Sequence, residues 1–193
     1  MIISPPFLPA KPAGASVPDP DADALWVDKA MAQPQSRAPD SHALEGSFPL
    51  SAALMWHNGI HIQAPLVNNA YLPVRAIADG KVIYAKEGAK PNASKDDPQN
   101  YYPWSAHDIG WSDNGIVIIE HDNEIGATKD APHTPTRIRF YSLYMHLSSL
   151  AKNDKTKAAW KAGDVIHRKD ELGTPGQIYG HTGQIHFEIC CDK

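Results

Sequence analysis

From Gly46 onward the chain alternates short apolar runs with polar stretches, at lengths that suit β-strands rather than helices. Ile116-Val117-Ile118-Ile119 is β-branched throughout and predicts a buried strand running on to Glu120 and His121. Near the C-terminus the alternation is strict. It puts Gln184, His186 and Glu188 on one face of a strand and Ile185, Phe187 and Ile189 on the other. One face suits a core and the other a cleft. Arg137 to Leu147 predicts a further strand, in which Tyr144 and His146 lie two apart and share a face. Val74 to Ala78, the pair Asp79-Gly80, and Lys81 to Ala85 together predict a β-hairpin. Lys86 to Asn114, carrying Tyr101, Tyr102, Trp104 and Trp111, and Asp122 to Thr136 are expected to be long loops. The expected fold is mainly β, an antiparallel sheet with short strands and long loops.

Residues 1–45 have a different texture. Pro5, Pro6, Pro9, Pro12, Pro18, Pro20, Pro34 and Pro39 fix φ and remove backbone donors, which predicts an irregular, extended arm or linker. A short helix is expected within it from Asp23 to Gln33. Residues 46–193 are then one domain. A net charge of −4 gives no broad attraction to nucleic acid or anionic lipid. No apolar run approaches the roughly 20 residues of a membrane span. The first residues lack the pattern of a secretory signal. Cys190 and Cys191 are adjacent and offer no disulfide framework; a structural role near a strand end is expected of them.

The chemistry concentrates in Trp56-His57-Asn58-Gly59-Ile60-His61, which places two imidazoles four residues apart. In a straight strand they would share a face but stand about 13 Å apart, too far for one ion. Asn-Gly is a strong turn former, and a bend there would bring both rings to one metal. His186 supplies a third imidazole from the far end of the chain. That pattern of neutral nitrogen donors points to a metal site.

These segments, taken together, resemble the zinc-dependent peptidoglycan hydrolases of the lysostaphin and LytM type, the M23 metallopeptidases. The resemblance covers roughly Gly46 to Ile189. It rests on His57-Asn58-Gly59-Ile60-His61, which looks like the family's His-x-Gly-x-Asp, and on Val74-Arg75-Ala76-Ile77-Ala78-Asp79-Gly80-Lys81-Val82. It rests also on the Ile116 to His121 strand, on Tyr144-Met145-His146-Leu147 and on Gln184-Ile185-His186-Phe187-Glu188. The resemblance implies an M23-type antiparallel fold, with Zn2+ as cofactor and His57, His61 and His186 as its ligands. It implies His146 as a catalytic histidine and Tyr144 as a tyrosine that helps at the oxyanion. Gln184 falls on a position that handles the attacking water, and Glu188 is placed to orient His186.

Two departures mark this chain. The family's second ligand is usually Asp, where His61 stands; three histidines remain a known catalytic set. A neutral ring in place of a carboxylate makes the site more positive. Gln184 stands where the family has histidine, and a carboxamide orients water without taking its proton. His146 is then the main general base. The expected function is a zinc peptidoglycan hydrolase, an endopeptidase or amidase, possessing an immunity or secretion partner if it is an antibacterial effector. The alternative is a degenerate domain that binds peptidoglycan or a partner without cleaving. Cell wall lies outside the membrane, so the missing signal implies a signal-independent export route; delivery by a contractile secretion machine would reconcile the two.

Overall fold

The computed structural model of the chain describes residues 3–8, 48–50, 56–90 and 111–191. All regular structure among them is β-strand. The strands are β1 (Ile60–Gln63), β2 (Leu66–Val67), β3 (Ala70–Tyr71), β4 (Val74–Arg75) and β5 (Gly80–Lys86). They continue with β6 (Gly115–Ala127), β7 (Pro135–Leu150), β8 (Val165–Ile166), β9 (Glu171–Ile178) and β10 (His181–Cys191). Eight form one sheet in the order β1-β10-β9-β7-β6-β5-β8, with β4 on β9 and a direct pairing of β10 with β7. Every pairing is antiparallel, and β2 and β3 form a separate ribbon. The mainly β, antiparallel expectation therefore holds. No helix among the described residues is long and apolar enough to cross a membrane.

Alternation decides which face is inside. Val117 and Ile119 of β6, Phe140, Tyr144 and Leu147 of β7, Ile185 of β10 and Ile62 of β1 join one buried cluster. Full burial of such a side chain contributes about 1.5–3 kcal/mol. A one-residue slip of β10 would turn Ile185 out and His186 in, so this burial fixes the register that presents the histidines. Ile189, expected on the core face, is instead 48% exposed, because β10 runs on past the cluster. Phe7 is fully buried in the same core, and Ser4 N–H donates to Ile77 O. The start of the proline-rich arm is thus packed on the domain. The expected helix at 23–33 lies outside the described residues.

Two expectations are overturned. The Asp79-Gly80 hairpin does not form, because β4 pairs with β9 while β5 pairs with β6 and β8. Ala76, Ile77 and Ala78 are buried, and their polar atoms are used elsewhere: Ala76 N–H donates to Asp170 O and Ile77 N–H to the Tyr144 hydroxyl. Similarly, Asp122 to Thr136 is mostly strand. β6 and β7 stay paired from Asp122 opposite Arg139 out to Ala127 opposite Pro135. This ribbon is largely exposed, so its polar sequence reads as loop although its backbone bonds are made within the pair. An ion pair of Arg137 with Asp122 at 3.0 Å spans it. Of the first expected loop, residues 91–110, with Tyr101, Tyr102 and Trp104, lie outside the described residues, and Trp111 is buried.

Candidate metal centre

β1 and β10 lie side by side with His61 directly opposite His186 and Gln63 opposite Gln184. His57 precedes β1 across the Asn58-Gly59 bend, where Gly59 has φ +107°. A side chain there would be strained and its Cβ would lie 2.5 Å from Phe187 O and 3.0 Å from His186 Nε2. Glycine thus lets the backbone curl against β10 and carry the His57 ring back over the sheet. The ring centroids of His57 and His61 stand 4.8 Å apart, those of His57 and His186 4.7 Å, and those of His61 and His186 5.5 Å. One ring nitrogen from each lies within 4.8 Å of the others. The three histidines that the sequence singled out are therefore together and could hold one metal ion.

The donor set fits a cation. His57 Nδ1 lies 3.0 Å from Gly59 O; a carbonyl only accepts, so Nδ1 carries the proton and Nε2 a lone pair. That Nε2 faces His186 Nδ1 at 3.1 Å. Two nitrogens bound tetrahedrally to one zinc at 2.0–2.1 Å would be about 3.3 Å apart, close to this spacing. The Glu188 carboxylate stands 3.6 Å from His186 Nε2 on the other side, favouring a proton there and a lone pair on Nδ1. Burial, and then the neighbouring rings of His57 and His146, push the pKa of His186 down to about 4. Burial, followed by the rings of His186, His57 and His146, likewise lowers that of His61. Neutral imidazole, the ligand form, is what this pocket favours.

His146 closes the arrangement. Its ring centroid lies 6.2 Å from that of His61 and 6.5 Å from that of His186. It reaches this face through a β-bulge: Ile116 pairs with Met145 and Gly115 with Leu147, leaving His146 as the extra residue at φ +64°. Consequently Tyr144 and His146 do not share a face, contrary to the two-residue alternation. His146 Nδ1–H donates to Asp113 O at 2.7 Å, which leaves Nε2 as the basic atom. Burial lowers its pKa, the Asp113 carbonyl opposing, so the ring is neutral at pH 7. Asp113 itself is buried, accepting from Trp111 Nε1–H at 3.0 Å and from Gln177 N–H at 2.9 Å. Sequence reasoning missed Asp113, for its partner Gln177 is 64 residues away and no spacing signals it.

Tyr144 is placed in the core. It is fully buried, its hydroxyl accepts from Ile77 N–H at 3.0 Å, and it hydrogen-bonds the Ser142 side chain. Ser142 in turn lies 2.7 Å from His121 Nε2, and His121 Nδ1–H donates to Asp79 O at 2.9 Å. These bonds tie the Ile77–Asp79 segment to β6 and β7. The oxyanion role implied by resemblance asks for a hydroxyl turned to the cleft, and this one is fully buried and bonded within the core. Gln184 shares the face of His186 but is buried, and its Nε2 donates to Gln63 Oε1 at 3.4 Å. Neither a family model nor a curated protein matches this sequence.

Proposed function

We propose that the chain is a zinc-dependent amide hydrolase acting on the peptide of bacterial cell wall. The observation that carries this reading is the convergence of His57, His61 and His186 with a fourth, separately anchored imidazole, His146, facing them. When bound, zinc supplies Lewis acidity at the scissile carbonyl and acidifies the attacking water. His57, His61 and His186 would hold it, with Gly59 O and Glu188 keeping two of the rings in the right tautomer. His146 Nε2, held basic by the Nδ1–H bond to Asp113 O, takes the proton of the water and returns it to the leaving amine. Gln184 cannot exchange protons, and its carboxamide steadies the site through Gln63. The cell-wall substrate, the M23-type mechanism and an effector role with an immunity partner belong to the proposal and rest on the motif resemblance alone.

A second reading, a domain that binds peptidoglycan without cleaving it, draws on the pairing of Gln184 with Gln63 in place of a second proton-handling imidazole. One experiment decides. Purified protein, zinc-loaded or treated with chelator, is incubated with peptidoglycans of several cross-link chemistries, and the products are identified by mass spectrometry. Chelator-sensitive release of peptide fragments is expected. Full zinc occupancy with no cleavage of any wall would refute the hydrolase and leave the binder.

A further inference from the structure

On the face of the sheet away from the core, strand register lines residues up in rows. Lys86 of β5 stands opposite Ile116, Ile116 opposite Met145, Met145 opposite His186, and His186 opposite His61. The next row is Tyr84, Ile118, Leu143 and Glu188. Ile116, Ile118, Leu143 and Met145 are only half-buried, and Tyr84 is 47% exposed. A cleft of about 450 Å3 opens over this ground, lined by Tyr84, Lys86, Asn114, Met145, His146 and Tyr179 among others. It begins at the proposed base and runs away from the metal ligands toward β5.

Among the described residues, the cleft is lined by one carboxylate, Asp113, and one ammonium, Lys86. The carboxylate of Asp113 is buried and accepts from Trp111 and Gln177, so it faces the protein rather than a ligand. His146 is neutral. Among the described residues no carboxylate pairs with Lys86, and the adjacent Glu87 accepts from Leu150 N–H. What the cleft offers a ligand is an apolar, partly aromatic floor ending in an exposed ammonium.

We propose that Lys86 is a specificity-determining residue that binds a carboxylate on the amine-side half of the substrate peptide, whose apolar portions lie on Tyr84, Ile116 and Met145. This rests on the hydrolase reading, since His146 hands its proton to the leaving amine and that half must therefore lie on the His146 side. From β10 to β5 is three strand spacings, about 14 Å, and an extended peptide advances about 3.3 Å per residue. Allowing for the lysine side chain, the carboxylate falls two to four residues beyond the scissile amide.

The test uses cell-wall stem peptides in which one to five residues separate the scissile amide from a free C-terminal carboxylate, each paired with its amidated counterpart. With zinc-loaded wild type, the free acid is expected to have a KM about fivefold lower than the amide, the factor an exposed ion pair provides. The preference should peak at two to four residues and weaken in high salt. Lys86→Ala should abolish it by raising KM for the acid alone, with kcat unchanged, while Lys86→Arg should keep it. No acid preference, or one that survives Lys86→Ala, overturns the proposal. Should no peptide be cleaved at full zinc occupancy, the hydrolase reading falls separately. Calorimetric binding of the same pairs to wild type and Lys86→Ala then decides the subsite: loss of acid-selective binding supports it, and equal binding overturns it.

Discussion

Asp113→Asn removes a single charge and adds no bulk, yet it should damage both the fold and the catalytic base. The carboxylate accepts two hydrogen bonds inside the protein, from Trp111 Nε1–H at 3.0 Å and from Gln177 N–H at 2.9 Å. An amide offers one oxygen, so whichever way it turns, its NH2 faces one of these donors. Hydrogen bonds to a charged group contribute about 1.5–3 kcal/mol each, and one is lost. Rearrangement is blocked from below: a Cβ on Gly176 would lie 2.4 Å from Asp113 Oδ2 and 2.4 Å from His146 O, so the backbone there is already in contact. At about 2–4 °C per kcal/mol for a chain of this size, Tm should fall by about 3–12 °C.

The catalytic consequence is separable. The acceptor for His146 Nδ1–H is the Asp113 carbonyl, which survives the substitution, as does the Asp113 N–H bond to Gln177 O at 3.0 Å; the carboxylate adds two further ties, to Gln177 N–H of β9 and to the Trp111 ring. Cleavage measured well below both melting temperatures should show a reduced kcat at unchanged zinc content, because none of the three proposed ligands touches Asp113. Thermal unfolding, zinc analysis and peptide cleavage on the same preparation make the comparison. An Asn variant that melts with wild type would refute the hydrogen-bond argument. One that is destabilised yet turns over at the wild-type rate would show that His146 needs no support from this carboxylate.

His146→Ala should lower cleavage by about 10²–10⁴-fold while zinc stays bound, and Gln184→His should be tolerated; zinc loss in the former would make His146 a ligand instead. His61→Ala should weaken zinc binding by more than about 100-fold, beyond the cost of losing a supporting hydrogen bond, whereas His61→Asp should retain the ion. Competition with a chromogenic chelator measures both, and an unaffected His61→Ala would remove that ring from the ligand set. His121 is fully buried, and burial holds its pKa below the usual imidazole value against the opposing Asp79 carbonyl. The unfolded chain therefore takes up a proton near pH 6.5 that the folded chain does not, so stability should fall as pH drops below that point. Imidazole NMR should find His121 titrating below the usual imidazole value; ordinary titration near 6.5 would contradict it.

What the sequence disclosed and what it hid follow from the range of the forces involved. The strict alternation of Gln184 to Ile189 told which side of β10 carries the histidine and which meets the core at Ile185, although Gln184 and His186 are buried as well and Ile189 is exposed. Asn58-Gly59 told where His57 bends, because a positive φ is a local requirement that glycine meets. The His57, His61 and His186 cluster was legible for that reason: two ligands are joined by a local bend and the third rides on a legible strand. His146 does lie beside the three histidines, but its placement by simple alternation failed. A bulge at one residue shifts every later side chain by one position, and this one shows in the pairing of β7 with the distant β6. That error also carried Tyr144 to the wrong face. A strand that alternates without interruption presents Tyr144 and His146 to the same side, both or neither; the bulge lets the tyrosine be buried while the imidazole is turned out. The left-handed φ of His146, costly for a residue with a Cβ, is thus strain located where the proposed chemistry needs an imidazole aimed against its own strand's period.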